Sequence, residues 1–176
     1  YIKANKYLSL VKASDDAFKE LIEYFKGVKE PTVICMFGDH QPSVESEFIA
    51  EVMGVPNLSN LTPQQEQARH CTPFIIWANY DIEEKSNVEL STNYLTAYMK
   101  QAIGISMTGY DKFLMDLYEK VPMITGNCYK GDDGKFYSWD SDTETEYTQL
   151  LEKYRLVQYN GLIDSKNIVK NFFYLS

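Results

Sequence analysis

The sequence predicts an α/β fold. Two short apolar runs carry that reading, Val33 to Phe37 and Phe74 to Ala78, each preceded by proline and closed by a polar or glycine position. Both are free of charge and rich in β-branched or aromatic residues, the composition of strands buried on both faces. Segments with apolar residues at helical spacing lie on either side of them, so helix, brief turn and buried strand alternate.

The elements follow in order. Ser14 is a suitable N-cap, Asp15 and Asp16 suit a first turn, and Phe18, Leu21, Ile22 and Phe25 recur at helical spacing up to Gly27. A short link through Pro31 leads into the first strand. Ser43 can cap a second helix with Phe48, Ile49, Val52 and Met53 on one face, stopped by Gly54. Thr62-Pro63-Gln64-Gln65 is a capping box with proline at the first helical position. After the second strand, Ser91 opens a helix with Tyr94, Leu95, Tyr98, Met99 and Ala102 inward, ended by Gly104. The next helix turns Tyr110, Phe113, Leu114, Leu117 and Tyr118 inward and ends before Pro122. Met123 to Tyr129 and Lys135 to Trp139 flank a polar turn rich in Gly and Asp, which predicts a β-hairpin near the carboxyl end. Thr143-Glu144-Thr145-Glu146 is a second capping box, followed by a helix with Tyr147, Leu150, Leu151 and Tyr154 inward. Tyr159 to Ile163 then reads as a tail leading to Phe172-Phe173-Tyr174, a docked terminal segment.

With 44% hydrophobic and 24% charged residues, the 176-residue composition is that of a soluble globular protein. No repeat or linker divides it, so residues 1–176 read as one domain or one piece of a domain. No apolar run is long enough to cross a bilayer. The opening Tyr1-Ile2-Lys3-Ala4-Asn5 has neither an initiator methionine nor an apolar leader, and reads as the interior of a longer protein. The formal charge of −8 would repel phosphate backbones and anionic lipid, which disfavours nucleic-acid binding. An anionic substrate would need a metal to supply local positive charge. Cys35, Cys71 and Cys128 form neither a CxxC pair nor a disulfide framework, and Cys35 reads as a small buried hydrophobe.

Asp39 and His40 are the candidate metal ligands. An Asp-His dipeptide alone specifies nothing, but this pair follows a buried strand at Gly38, where a sharp turn can aim side chains into a crevice. Carboxylate oxygen beside imidazole nitrogen suits Zn²⁺ or Mn²⁺ better than Ca²⁺. Two ligands do not complete a site. His70 reads as a surface-loop histidine. Asp81, Glu83 and Glu84 read as a solvated acidic run, Asp132 and Asp133 as turn residues, and the 14 tyrosines as packing groups.

Thr32-Val33-Ile34-Cys35-Met36-Phe37-Gly38-Asp39-His40-Gln41-Pro42 resembles the strand and Gly-Asp-His turn of the alkaline-phosphatase superfamily. The branch it resembles contains lipoteichoic acid synthases and sulfatase-like phosphoglycerol transferases. The Ser14-Asp15 helix start and Thr72 to Asp81 also resemble the family's segments there, and Leu156 to Asn160 is similar to family members from Gram-positive bacteria. The resemblance implies the carboxyl-terminal part of an α/β sandwich, a mixed sheet flanked by helices. It implies one catalytic divalent cation, Mn²⁺ or Mg²⁺, with Asp39 and His40 among its ligands. It further implies a threonine nucleophile and an acidic ligand upstream of this chain, a phosphoglycerol lipid head group as donor and a teichoic-acid-like acceptor. The parent would be anchored at the extracellular face of the membrane, with the amino-terminal part of the same protein as this fragment's partner. No catalytic nucleophile is assigned within residues 1–176, so the fragment alone is expected not to turn over.

Two departures from the wider family matter. Gln41-Pro42 stands where sulfatases usually carry glycine, which favours phosphoglycerol transfer over sulfate-ester hydrolysis. Cys71-Thr72-Pro73-Phe74-Ile75 lacks the arginine of the formylglycine signature. Besides a transferase or related hydrolase, two readings remain open: a non-catalytic sulfatase-like binding domain, and an unrelated α/β protein that matches by accident.

Overall fold

A computed structural model describes residues 1–139, 144–164 and 166–175. The chain forms two compact units, Tyr1–Asp81 and Ile82–Ser176.

The first unit begins with one continuous helix, α1, Ile2–Lys26. The helix start expected at Ser14 is therefore corrected: Ser14 lies mid-helix, because the run from Ile2 to Ala13 is rich in good helix formers and contains no breaker. No side chain of its own caps α1. The Glu45 carboxylate does so from a distant loop, accepting from the backbone N–H of Lys3 at 2.9 Å and of Ala4 at 3.0 Å. Those bonds hold the Glu45 carboxyl down to about 2.

Strand β1, Val33–Phe37, follows. Helix α2 is Ser46–Met53, beginning after Glu45 rather than at the expected Ser43, and it closes on Gly54 in the left-handed region at φ 66°. Helix α3, Pro63–Ala68, has the expected box: Thr62 Oγ1 accepts from Gln65 N–H and Gln65 Oε1 accepts from Thr62 N–H. Strand β2, Phe74–Ala78, pairs antiparallel with β1, from Val33 opposite Ala78 to Phe37 opposite Phe74. Asn79 ties the unit together. Its Oδ1 accepts from Thr32 N–H at 2.8 Å, and its Nδ2 donates to the carbonyls of Val28 and Glu30, both at 2.9 Å.

Neither strand is buried as the apolar runs led one to expect. Phe37 is 52% exposed and Ile75 42%, because the sheet contains two strands and each has one ladder. Among the described residues, Ala4 and Ala50 are the buried apolar side chains of this unit.

The second unit carries the core. Helices α4, Thr92–Ala102, and α5, Gly109–Lys120, contribute Tyr94, Ala97, Leu114 and Leu117, which meet Val121, Tyr129, Tyr147 and Tyr154. Thr108 and Asp111 form a capping box for α5, and buried Asp111 also takes a 2.7 Å ion pair from Lys100. The expected hairpin is a three-stranded antiparallel meander: β3, Met123–Ile124, β4, Cys128–Lys130, and β5, Phe136–Ser138. The run from Met123 to Tyr129 folds back on itself because Thr125 Oγ1 closes a tight turn onto Cys128.

Helix α6 is Thr148–Leu162, so Tyr159 to Leu162 are helical rather than tail. Thr143 of the box expected before it lies outside the described residues. Helix α7, Lys170–Phe173, docks as expected, with Phe172 against Gly109 and Phe173 against Gly161. No described helix is long and apolar enough to cross a membrane.

Candidate metal centre

The end of β1 is clamped before the chain turns. Gly38 N–H donates to Pro73 O at 3.0 Å, and Thr72 Oγ1 donates to Gly38 O at 2.8 Å. A side chain at position 38 has no room, since a Cβ there would lie 2.8 Å from Thr72 Cβ. Glycine is required here by close approach. Three residues further the loop is pinned again, where Gln41 Nε2 donates to Cys71 O. Two tethers thus bracket Asp39 and His40.

Between them the two candidate ligands stand side by side. Asp39 Oδ1 accepts from the His40 backbone N–H at 2.9 Å, which orients the carboxylate over its neighbour. His40 Nδ1 lies 2.9 Å from Gln41 O. A carbonyl can only accept, so that contact places the ring proton on Nδ1 and leaves the Nε2 lone pair open. Nε2 is 3.6 Å from Asp39 Oδ2. Two donors that far apart can share one cation with bonds of roughly 2.1 Å, subtending a wide angle. Both side chains are open to solvent, His40 at 79% and Asp39 at 83%. Oxygen from a carboxylate and nitrogen from neutral imidazole is a donor set that fits a divalent metal. Among the described residues no group of three or more His, Cys, Asp or Glu converges to complete a coordination sphere. The pair is a fitting half-site.

The acidic and histidine candidates outside the turn fall where the sequence put them, whereas Cys35 is less buried than expected and Tyr24, Tyr159 and Tyr174 are exposed rather than packed. His70 is exposed and lies 3.5 Å from Glu66 on the preceding helix. Asp81, Glu83 and Glu84 are exposed, with Glu83 paired to Lys85. Asp132 and Asp133 serve the turn: Asp132 bonds Lys120 and Tyr147, and Asp133 bonds Lys135 N–H and Tyr137. Cys35 is half-buried in β1, and burial pushes its thiol up from the usual range. The tethers by Thr72 and Gln41 were not legible as site elements, because they depend on β1 and β2 ending side by side.

Comparison with known proteins identifies the family. The family model described as Sulfatase matches residues 3–105, more than half of the chain. A Rhizobium meliloti (strain 1021) protein described as a cyclic beta-1,2-glucan modification protein is 24% identical over 169 residues, covering 95% of this chain and 26% of its own length. The solved structure of Streptococcus pyogenes phosphoglycerol transferase GacH in complex with sn-glycerol-1-phosphate superposes with a TM-score of 0.65. That match has 18% identity and covers 93% of this chain and 36% of the other. The chain thus spans about a quarter to a third of these relatives.

Proposed function

We propose, from the premise that this chain belongs to the sulfatase family, that it is the carboxyl-terminal portion of a metal-dependent phosphoglycerol transferase of the lipoteichoic acid synthase type. The observation that carries the reading is the presentation of Asp39 Oδ2 and His40 Nε2 3.6 Å apart on a doubly tethered turn. These two residues would hold the cation, Mn²⁺ or Mg²⁺. When bound, that ion neutralises charge on phosphoryl oxygens and activates a coordinated hydroxyl.

The chain's own residues prepare the half-site. Gln41 O fixes the histidine tautomer, and Gly38 with Thr72 fixes where the turn begins. The nucleophilic threonine and the remaining ligands belong to the amino-terminal part of the parent, which residues 1–176 complete as one piece of its catalytic domain. The donor is a phosphoglycerol lipid head group and the acceptor a teichoic-acid-like chain, at the extracellular face of a Gram-positive membrane. Support for the phosphoglycerol group comes from the ligand named with the structural neighbour.

Calorimetric titration with Mn²⁺ tests the assignment. Two protein ligands leave most coordination positions to water, so binding is expected in the range of roughly 0.1–1 mM and is abolished in Asp39→Ala and in His40→Ala. Binding that survives both substitutions removes the site. Submicromolar affinity would mean that this chain holds the full ligand set. A phosphodiester assay on the isolated chain is expected to read no turnover; activity lost in Asp39→Ala would contradict the placement of the nucleophile upstream.

A further inference from the structure

Strand β1 has an open edge. Gly38 N–H donates to Pro73 O and Asn79 N–H donates to Thr32 O, one bond at each end of the β1–β2 ladder. Facing residues of an antiparallel pair alternate between bonded and unbonded, so positions 32, 34, 36 and 38 turn their main-chain groups toward β2. The N–H and C=O of Val33, Cys35 and Phe37 therefore point away from it. Among the described residues no strand pairs with β1 on that side. Apolar cover is missing at the same place. Phe37 on one face of the sheet, and Met36 with its cross-strand neighbour Ile75 on the other, are exposed. Helix α1 of the same unit repeats the pattern. Ala4, Tyr7, Val11, Phe18, Ile22 and Phe25 fall within roughly 60° of its circumference. Ala4 is buried and Phe18, Ile22 and Phe25 are half-buried, but Tyr7 and Val11 between them are exposed.

We infer that an extended segment from the amino-terminal part of the parent pairs along the free edge of β1. The inference rests on the proposed function and names the surface on which the two parts of the catalytic domain meet. Main-chain chemistry selects the class of occupant. Donors and acceptors alternating at strand spacing are matched by another extended polypeptide, not by lipid or nucleic acid. Position selects which polypeptide. The open edge runs through Gly38 into Asp39 and His40, so a segment paired there lies beside the half-site, where the missing ligands must enter. A second copy of this chain would bring only the same two ligands again. The chain covers well under half of either relative, so proteins of this kind have ample sequence to supply the segment.

Hydrogen exchange in residues 1–176 alone and in the full-length parent is the test. The amides of Val33, Cys35 and Phe37 are expected to exchange at least about a hundredfold more slowly in the parent. Cys35→Pro separates the edge from the ladder. The N–H it removes points away from β2, a position where a strand tolerates proline. In the chain alone, Ile34 and Met36 should keep their exchange rates after correction for intrinsic effects. In the parent, the same substitution should abolish the added protection at Val33 and Phe37. Met36→Ser with Ile75→Ser should weaken that protection too, with unchanged circular dichroism in the chain alone, because both side chains are exposed. Asp39→Ala in the parent should lose Mn²⁺ binding and keep the protection, so failure of the metal reading and failure of the pairing are read separately. Equal exchange in chain and parent overturns the inference, as does protection in the parent that both variants leave intact. Protection of the same amides in the chain alone that grows with protein concentration would assign the edge to a second copy, and would also overturn it.

Discussion

Gly38 determines whether Asp39 and His40 meet. Both were legible as ligands because they are adjacent after an apolar run, and adjacency survives any tertiary arrangement. What holds them was not legible: Thr72 is 34 positions away, and its bond to Gly38 O exists only because β2 ends beside β1. Gly38→Ala therefore makes a sharp test. The new Cβ would lie 2.8 Å from Thr72 Cβ, so either the threonine turns away or the strand end shifts. The expected cost is about 1–3 kcal/mol, the range for overpacking a tight contact. Thermal unfolding measures that cost, and the Mn²⁺ heat should fall with it. Unchanged metal binding in a destabilised Gly38→Ala protein would show that the tether does not position the ligands. Asn79 teaches the same lesson. It follows the second strand like a site residue, yet its amide is used up bonding Thr32, Val28 and Glu30.

Helix ends were the elements most often misplaced, and the reason is physical. Caps written within four residues are readable, as Thr62 with Gln65 was. The cap of α1 is supplied by Glu45, more than 40 positions downstream, so the sequence offered Ser14 in its place. Glu45 titrates far below an ordinary glutamate because Lys3 and Ala4 donate to its charged form. A depressed carboxyl contributes its stabilisation above the unfolded value of 4.5, and that contribution is lost as pH falls toward about 2. Amide exchange at Lys3 and Ala4 should accelerate in that window, after correction for intrinsic rates, and Glu45→Ala should show the fast behaviour already at neutral pH. Helix α7 depends on side-chain room instead. A Cβ at Gly161 would sit 2.6 Å from Phe173 Cε1, so Gly161→Ala should release the terminal helix although alanine favours α6 itself. Loss of near-ultraviolet aromatic signal with retained far-ultraviolet helicity would report that release; retention of both would show that Phe173 moves aside.

Burial is unequal between the two units, and this governs how the candidate site behaves. Every residue of the buried core cluster, from Tyr94 to Tyr154, belongs to the second unit. In the first, Val33 to Phe37 and Phe74 to Ala78 were legible as strands but not in their burial. An uninterrupted apolar run shows what a strand could bury; it does not show how many neighbours the chain supplies. With one ladder each, β1 and β2 form a sheet below the three strands usually needed for independent stability. Hydrogen exchange on the whole chain should therefore separate the units. Inward amides of α4 and α5 should exchange only through global opening, whereas those of β1 and β2 should exchange at least about a hundredfold faster. Metal makes the difference diagnostic, because a ligand that binds only the folded turn stabilises it by about 1.4 kcal/mol at ten times its dissociation constant. Saturating Mn²⁺ should then slow exchange in β1, at Gly38 and at Thr72, and leave α4 and α5 unchanged. Equal slowing in both units would mean that the ion acts on the chain at large, and the Asp39–His40 turn would lose its claim to be where it binds.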